Sequence, residues 1–210
     1  MNTPWKRVLL CLLVPVFSAL AAAQSSIDAG QTTANIFESS YFHFRYDLPK
    51  GWFALDDRVR LADNKKRYKT QLAEALKKNG PNTPTRKTEV FPQYDLLSAG
   101  RTKVTSSEMT QLPCVHVWAT RRVGMTKEAA DPAKLITLAL KPKVLRGPEK
   151  VVLAGHEFVR ADFQFSPKSF LSKFTSVSGD YLIEFDLRAK NEKDLVGLAA
   201  TMQTLRFPEP

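Results

Sequence analysis

Cysteine is almost missing from this chain, with two among 210 residues. Cys11 lies in the middle of an N-terminal apolar run, after Val8, Leu9 and Leu10 and without the small residues that precede an acylated cysteine, so no lipid anchor is expected. Cys114 then has no partner, and no intrachain disulfide is available even in a compartment that would allow one. Its surroundings, LPCVHVW, suit a small buried apolar residue better than a nucleophile. Stability therefore has to come from a packed core.

Other absences narrow the function. The apolar run Val8 to Leu20 is shorter than the roughly 20 residues of a membrane-spanning helix and is interrupted by Pro15. Neither a G-x-G-x-x-G nor a Walker sequence occurs, so no phosphate-cradling loop is expected, and there is no G-x-S-x-G elbow. Histidine is limited to His43, His116 and His156, none with a second histidine or cysteine at zinc-ligand spacing. His156-Glu157 is the pair to inspect first for a metal. No repeat, coiled coil or low-complexity tract is present, and no cofactor is expected.

What is present starts with MNTPWKRVLLCLLVPVFSALAAAQ: a basic start at Lys6 and Arg7, an apolar stretch, and Ala21-Ala22-Ala23 before Gln24. That is the pattern of a cleaved secretory signal over residues 1–23, and it predicts a periplasmic or secreted protein. Residues 24–35, QSSIDAGQTTAN, are polar and without period, and predict a flexible mature terminus. Residues 36–210 suffice for one domain that buries about 70% of its unfolded surface. The formal charge of +10 falls by two when the signal leaves, and the remaining basic excess favours acidic partners.

Along the chain, Phe42, Phe44, Tyr46 and Leu48 alternate with Tyr41, His43, Arg45 and Asp47, which predicts a half-buried strand. Pro49-Lys50-Gly51 turns the chain toward a partner strand beginning at Trp52, Phe53 and Leu55. Leu61, Tyr68, Leu72 and Leu76 then fall at helical spacing, in a helix over Asp63 to Asn79 that Gly80-Pro81 stops. A loop runs to Pro92. Strands follow over Tyr94 to Lys103 and Cys114 to Val123, joined by SSEMTQLP, and Asp131-Pro132 opens a second helix that Pro142 closes. Two hairpins come next: Val151–Leu153 with His156–Phe165 around Ala154-Gly155, and Phe170–Val177 with Tyr181–Ala189 around Ser178-Gly179-Asp180. Asn191 caps a last helix whose apolar stripe is Leu195, Leu198, Met202 and Leu205.

This order predicts an α+β domain, an antiparallel sheet flanked by helices. The opening FHFRYDLPKGW resembles the alternating aromatic strand and Pro-x-Gly-Trp turn of the PsbP/Mog1-like superfamily. GHEFVRADFQF and FLSKFTSVSGDYLIEFDLRAKNEKDLVGLAATMQTLRF are similar to that superfamily's closing hairpins and helix. The resemblance implies an α/β/α sandwich and a class of accessory and binding proteins without a shared catalytic site. These are packing motifs, so they bear on fold more than on function.

The expected function is an exported, non-enzymatic accessory or binding module whose partner is an envelope protein or another envelope component. The alternative is a basic-surface binder of anionic lipid or polymer through Lys65, Lys66, Arg67, Lys69, Lys77, Lys78, Arg121 and Arg122, extended by Lys141, Lys143, Arg146 and Lys150. Such binding weakens as salt rises. Nucleic acid is not an expected partner, since most aromatics face inward. A hydrolase or metal site would need His43, His156 or Glu157 to converge with acids, whereas Asp162, Glu184 and Asp186 alternate with apolar residues as a solvated face would.

Overall fold

The structure, a computed structural model, describes residue 27 and residues 30–79, 93–106, 111–122 and 142–208. The expected signal segment, the loop before Pro92 and the helix expected after Asp131-Pro132 lie outside the described residues. Two antiparallel sheets organise the rest. The small sheet has the order β1 (Gln31–Thr33), β2 (Ile36–Ser39), β3 (Phe44–Asp47). The large sheet uses β4 (Phe53–Ala54), β5 (Gln93–Gly100), β6 (Cys114–Arg121), β7 (Lys143–Leu153), β8 (His156–Ser166), β9 (Ser169–Ser178) and β10 (Tyr181–Ala189). Its order is β4-β5-β6-β10-β9-β8-β7, so the expected α+β antiparallel class holds. Helix α1 (Asp57–Asn79) precedes β5, and α2 (Glu192–Ala200) with a 3-10 turn (Thr201–Thr204) closes the chain.

Both expected hairpins form, for local reasons. Ala154 and Gly155 have φ of 48° and 80°, the pair of positive values that a two-residue loop needs to match strand twist. Gly179 supplies the positive φ of 53° between β9 and β10. The Asn191 side chain accepts the Asp194 N–H at 2.8 Å to cap α2. The predicted stripe Leu195, Leu198, Met202 and Leu205 is buried throughout.

The main core fills the space between the small sheet and one face of the large sheet. Phe42, Phe44, Tyr46 and Leu48 are buried, as the alternation predicts. The Phe44 and Tyr46 rings lie 5.5 and 5.8 Å from that of Phe185, and the Phe158 ring lies 6.1 Å from it. Such pairs add about 0.5–1.5 kcal/mol each beyond the area they bury. Leu198 and Ala199 of α2 join the same cluster. One side of the large sheet is therefore covered by a second sheet as well as by a helix, which a plain helix–sheet–helix layering does not include.

Several expectations are corrected. Order does not begin at Ile36: Ile27 packs against the core, Gly30 is buried, and Gln31 to Thr33 pair with Glu38 to Ile36. The backbone groups of these polar residues are satisfied by a ladder, which composition does not reveal. The strand at Phe53 does not pair with the aromatic strand; Phe53 and Ala54 pair with Gly100 and Ala99 in the other sheet. His43 is in a turn with φ of 52° and not on a strand. Helix α1 starts six residues before the expected Asp63, because Asp56 Oδ1 accepts the Arg58 and Val59 N–H groups at 2.9 and 3.4 Å. Asp162, Glu184 and Asp186 are not a solvated row. Lys173 Nζ lies 2.7 Å from Glu184 and 2.9 Å from Asp186, Arg160 pairs with Asp162 at 2.9 Å, and both aspartates are buried.

The close approach of Gly30 to the core yields a test. A Cβ there would sit 2.4 Å from Cζ of Phe37, a ring with no exposed surface. Gly30→Ala is expected to cost about 1–3 kcal/mol through overpacking, read as a lower midpoint in denaturant at unchanged slope. An unchanged midpoint would show that the N-terminal strand is not packed as described.

Candidate functional site

Two polar assemblies stand apart from the core. The first lies under α1. Arg60 is 1% exposed and donates from Nη1 to the Asp95 carbonyl at 3.1 Å and from Nη2 to the Gly30 carbonyl at 2.6 Å and Asp57 Oδ1 at 3.2 Å. Asn64 takes both backbone groups of Asp95: its Nδ2 donates to the carbonyl at 2.9 Å and its Oδ1 accepts the N–H at 2.8 Å. Those groups need such a partner because the β5–β6 register slips between Asp95 and Leu97. The slip also puts Asp95 and Ser98 on one face, opposite Trp118 and His116.

A hydrogen-bonded chain results. Ser98 Oγ donates to Asp95 Oδ2 at 2.7 Å and lies 2.9 Å from His116 Nδ1. With the carboxylate ionised, the hydroxyl proton is committed to Asp95, so His116 Nδ1–H is the donor to Ser98. Ser98 stands in the middle of this hydrogen-bonded chain without exposed surface. As described, the trio offers no hydroxyl to solvent for a nucleophilic role. Burial pushes the Asp95 carboxyl up to about 6, although the Ser98 hydroxyl, Arg60 and Arg67 oppose that rise.

The second assembly is open to solvent. Period two sends Phe37, Phe44 and Tyr46 into the core and leaves Glu38, Arg45 and Asp47 on the outer face of the small sheet. The C-terminal segment extends that sheet: Arg45 N–H donates to the Arg206 carbonyl at 2.8 Å and Arg206 N–H to the Arg45 carbonyl at 2.9 Å. Thr204 Oγ1 accepts the Asp47 N–H at 3.1 Å beside it. Arg206 thus joins Arg45 on the outer face while Phe207 turns inward, stacked on His156 with ring centroids 3.7 Å apart. A cavity of ≈ 840 Å³ lies here, lined by Gln31, Glu38, His43, Arg45, Asp47 and Arg206 among others. Arg45 is 3.8 Å from Glu38 Oε1 and 3.3 Å from Asp47 Oδ1. These side chains are about half exposed. Exposed pairs of this kind add about 0–1 kcal/mol to stability. Arg206 Nη1 is held by the Gln203 and Leu205 carbonyls at 2.6 and 2.7 Å.

The residues singled out from the sequence lie on several elements. Lys65, Lys66, Lys69 and Lys77 are exposed on α1, while Arg67 turns inward and its guanidinium lies 4.8 Å from the centre of the Trp118 ring. The side chain of Lys78 and all of Lys141 lie outside the described residues. Arg121 is exposed at the end of β6, and Arg122 N–H donates to the Asp180 carbonyl at 2.8 Å. Lys143, Arg146 and Lys150 are on β7, the edge of the large sheet farthest from β4, and do not merge with the helix. Arg146 also pairs with Glu149 and Lys150 with Glu157. The histidines stay apart: His116 is buried under α1, His43 borders the polar cavity and exposed His156 lies against Phe207. Among the described residues no three metal-binding side chains cluster, and no helix is long and apolar enough to span a membrane. Cys114 is buried, and that burial pushes its thiol up to about 11.

No family model and no curated protein matches the chain. Among solved structures it is similar to the solution structure of cyanobacterial PsbP (CyanoP) from Synechocystis sp. PCC 6803, with 8% sequence identity and a TM-score of 0.43. That likeness covers 84% of this chain and 95% of the other.

The buried carboxyl carries a pH prediction. Because its folded pKa of about 6 exceeds the ordinary 3.8, Asp95 costs nothing below pH 4 and destabilises the fold progressively as pH rises through 6. Asp95→Asn, which keeps an acceptor for Ser98, is expected to stabilise the protein at pH 8 by up to about 3 kcal/mol and to leave it unchanged at pH 4. Chemical denaturation at the two pH values checks this. An equal effect at both would show that Asp95 does not titrate in this range.

Proposed function

We propose that this chain is an exported accessory module of the cell envelope that binds a polar segment of a partner protein in the cavity on its small sheet. The observation that carries the reading is the juxtaposition of Glu38, Arg45, Asp47 and Arg206 on one exposed face around a space of ≈ 840 Å³. The floor is rigid, because each charged residue alternates with an aromatic or apolar residue locked in the core. The charges pair only loosely with each other, so a ligand that offers both donors and acceptors can replace those pairs at small cost. A serine committed to a buried carboxylate and a cavity of mixed charge suit binding better than acyl transfer. Export is supported by the basic, apolar and small-residue succession of residues 1–23. Membership of the PsbP/Mog1-like superfamily, with its three-layer arrangement, is supported by the quoted opening and closing motifs.

Two measurements test this. N-terminal sequencing of the protein recovered from the envelope is expected to begin at Gln24; a retained Met1 in a cytosolic fraction would remove the export reading. A photocrosslinker placed at exposed His43 is expected to capture one discrete partner in the envelope fraction, and Arg45→Ala with Arg206→Ala to lower that yield about tenfold or more while the melting temperature falls by only a few degrees, since exposed pairs contribute about 0–1 kcal/mol. A yield indifferent to both substitutions overturns the site.

A further inference from the structure

Helix α1 is inverted relative to an ordinary surface helix. Its inward stripe is Arg60, Asn64 and Arg67, all polar, bonded to or stacked on β5 and β6. Among its described side chains the large apolar ones consequently face out: Val59, Leu61 and Tyr68 are 38%, 39% and 43% exposed. The charged side chains exposed between Arg58 and Thr70 are Arg58, Lys65, Lys66 and Lys69, every one of them basic. Asp63, the one acid of the same span, and Asp57 just before it are only partly exposed, and Asp57 is taken by Thr32 N–H and Arg60. At helical spacing Leu61 and Tyr68 form one shoulder, and Lys65 and Lys69 lie directly beside it.

We infer that this face of α1 docks on an anionic phospholipid surface, lying in the interface with Leu61 and Tyr68 turned into the boundary between headgroups and acyl chains. Between Arg58 and Thr70 the charge complementarity is one-sided, with exposed Asp56 and Glu74 lying outside that span: four cations and no fully exposed acid meet an anionic leaflet, and lysine stems can lie along apolar surface while their ammonium groups stay among the headgroups. Apolar residues beside the cations distinguish a bilayer from a soluble polyanion, which would engage the charges and leave Leu61 and Tyr68 wet. The site is separate from the cavity on the small sheet, so either can fail without the other.

The test uses the protein as the cell processes it, with phosphatidylcholine vesicles that contain or lack phosphatidylglycerol. Parent and variants share one N-terminus, so their differences isolate α1. Binding to the anionic vesicles alone is expected, weakening strongly as salt rises from about 0.1 to about 1 M and the screening length falls from about 10 to 3 Å. Lys65→Glu with Lys69→Glu is expected to lower partitioning about 100-fold or more, since each cation near the leaflet contributes about tenfold or somewhat less and reversal counts it twice. Leu61→Ser with Tyr68→Ser is expected to lower it about tenfold at low salt while the melting curve stays unchanged. Tyr68→Trp should become accessible to quenching by brominated acyl chains. Equal binding to both vesicle types overturns the inference. So does charge-dependent binding that is indifferent to the Leu61 and Tyr68 pair with no quenching, a result that would assign the face to a soluble anionic polymer or acidic protein.

Discussion

The guanidinium of Arg60 holds together three segments that are distant in the chain. It reaches the carbonyl of Gly30, the carbonyl of Asp95 and the carboxylate of Asp57 from a position without meaningful solvent exposure. A buried cation survives only when its donors are occupied, since an unpaired one costs several kcal/mol. Gly30 must therefore stay against Phe37, and β1 must stay paired with β2. Asp57 serves twice, because its other oxygen accepts the Thr32 N–H and blunts the exposed edge of the small sheet. Gln31, one wall of the polar cavity, depends on this anchoring. So does the orientation of α1, whose outer face is apolar and basic because its inner face is committed to polar partners.

The large sheet uses charge in a related way on β9 and β10. Burial alone would depress Lys173, but Asp186 and Glu184 on the neighbouring strand β10 raise it well above the ordinary lysine range. Burial likewise would raise Asp186, and Lys173 and Arg188 reverse the sign and hold its carboxyl below the usual carboxylate range. The pair is matched across the strands, Lys173 being the cross-strand partner of Asp186. Desolvation offsets much of the attraction in such sites, so this network specifies register more than it adds net stability. Tyr46 shows the same competition at the core boundary, where burial pushes its phenol up to about 12 against the opposing effect of its hydrogen bond with Thr201.

Much of the fold is legible in short windows. The hairpins at Ala154-Gly155 and Gly179-Asp180, the Asn191 cap and the stripe of α2 each depend on residues within a few positions of one another. The buried row Phe42, Phe44, Tyr46 and Leu48 follows from alternation alone, and so does the outward placement of Arg45 and Asp47. The buried seam under α1 was not legible, for a specific reason. Asp95 and Ser98 are three apart and belong on opposite faces of a regular strand, and only the bulge before Leu97 brings them together. Arg60 carried no signal either, because a lone arginine just before the expected helix reads as solvated.

The sequence by itself determined which residues share a face, since the periods of strand and helix are local stereochemistry. Tertiary structure alone decided which face is covered. Apolar residues at helical spacing usually turn inward, but Leu61 and Tyr68 face out, because the strand surface under α1 presents Asp95, Ser98 and His116, and burying leucine against those groups would leave them unsatisfied. The helix turns to give Asp95 its partners. In the same way Arg206 reaches Arg45 from the other end of the chain, a pairing that depends on where a ladder is left open and not on any pattern either segment carries.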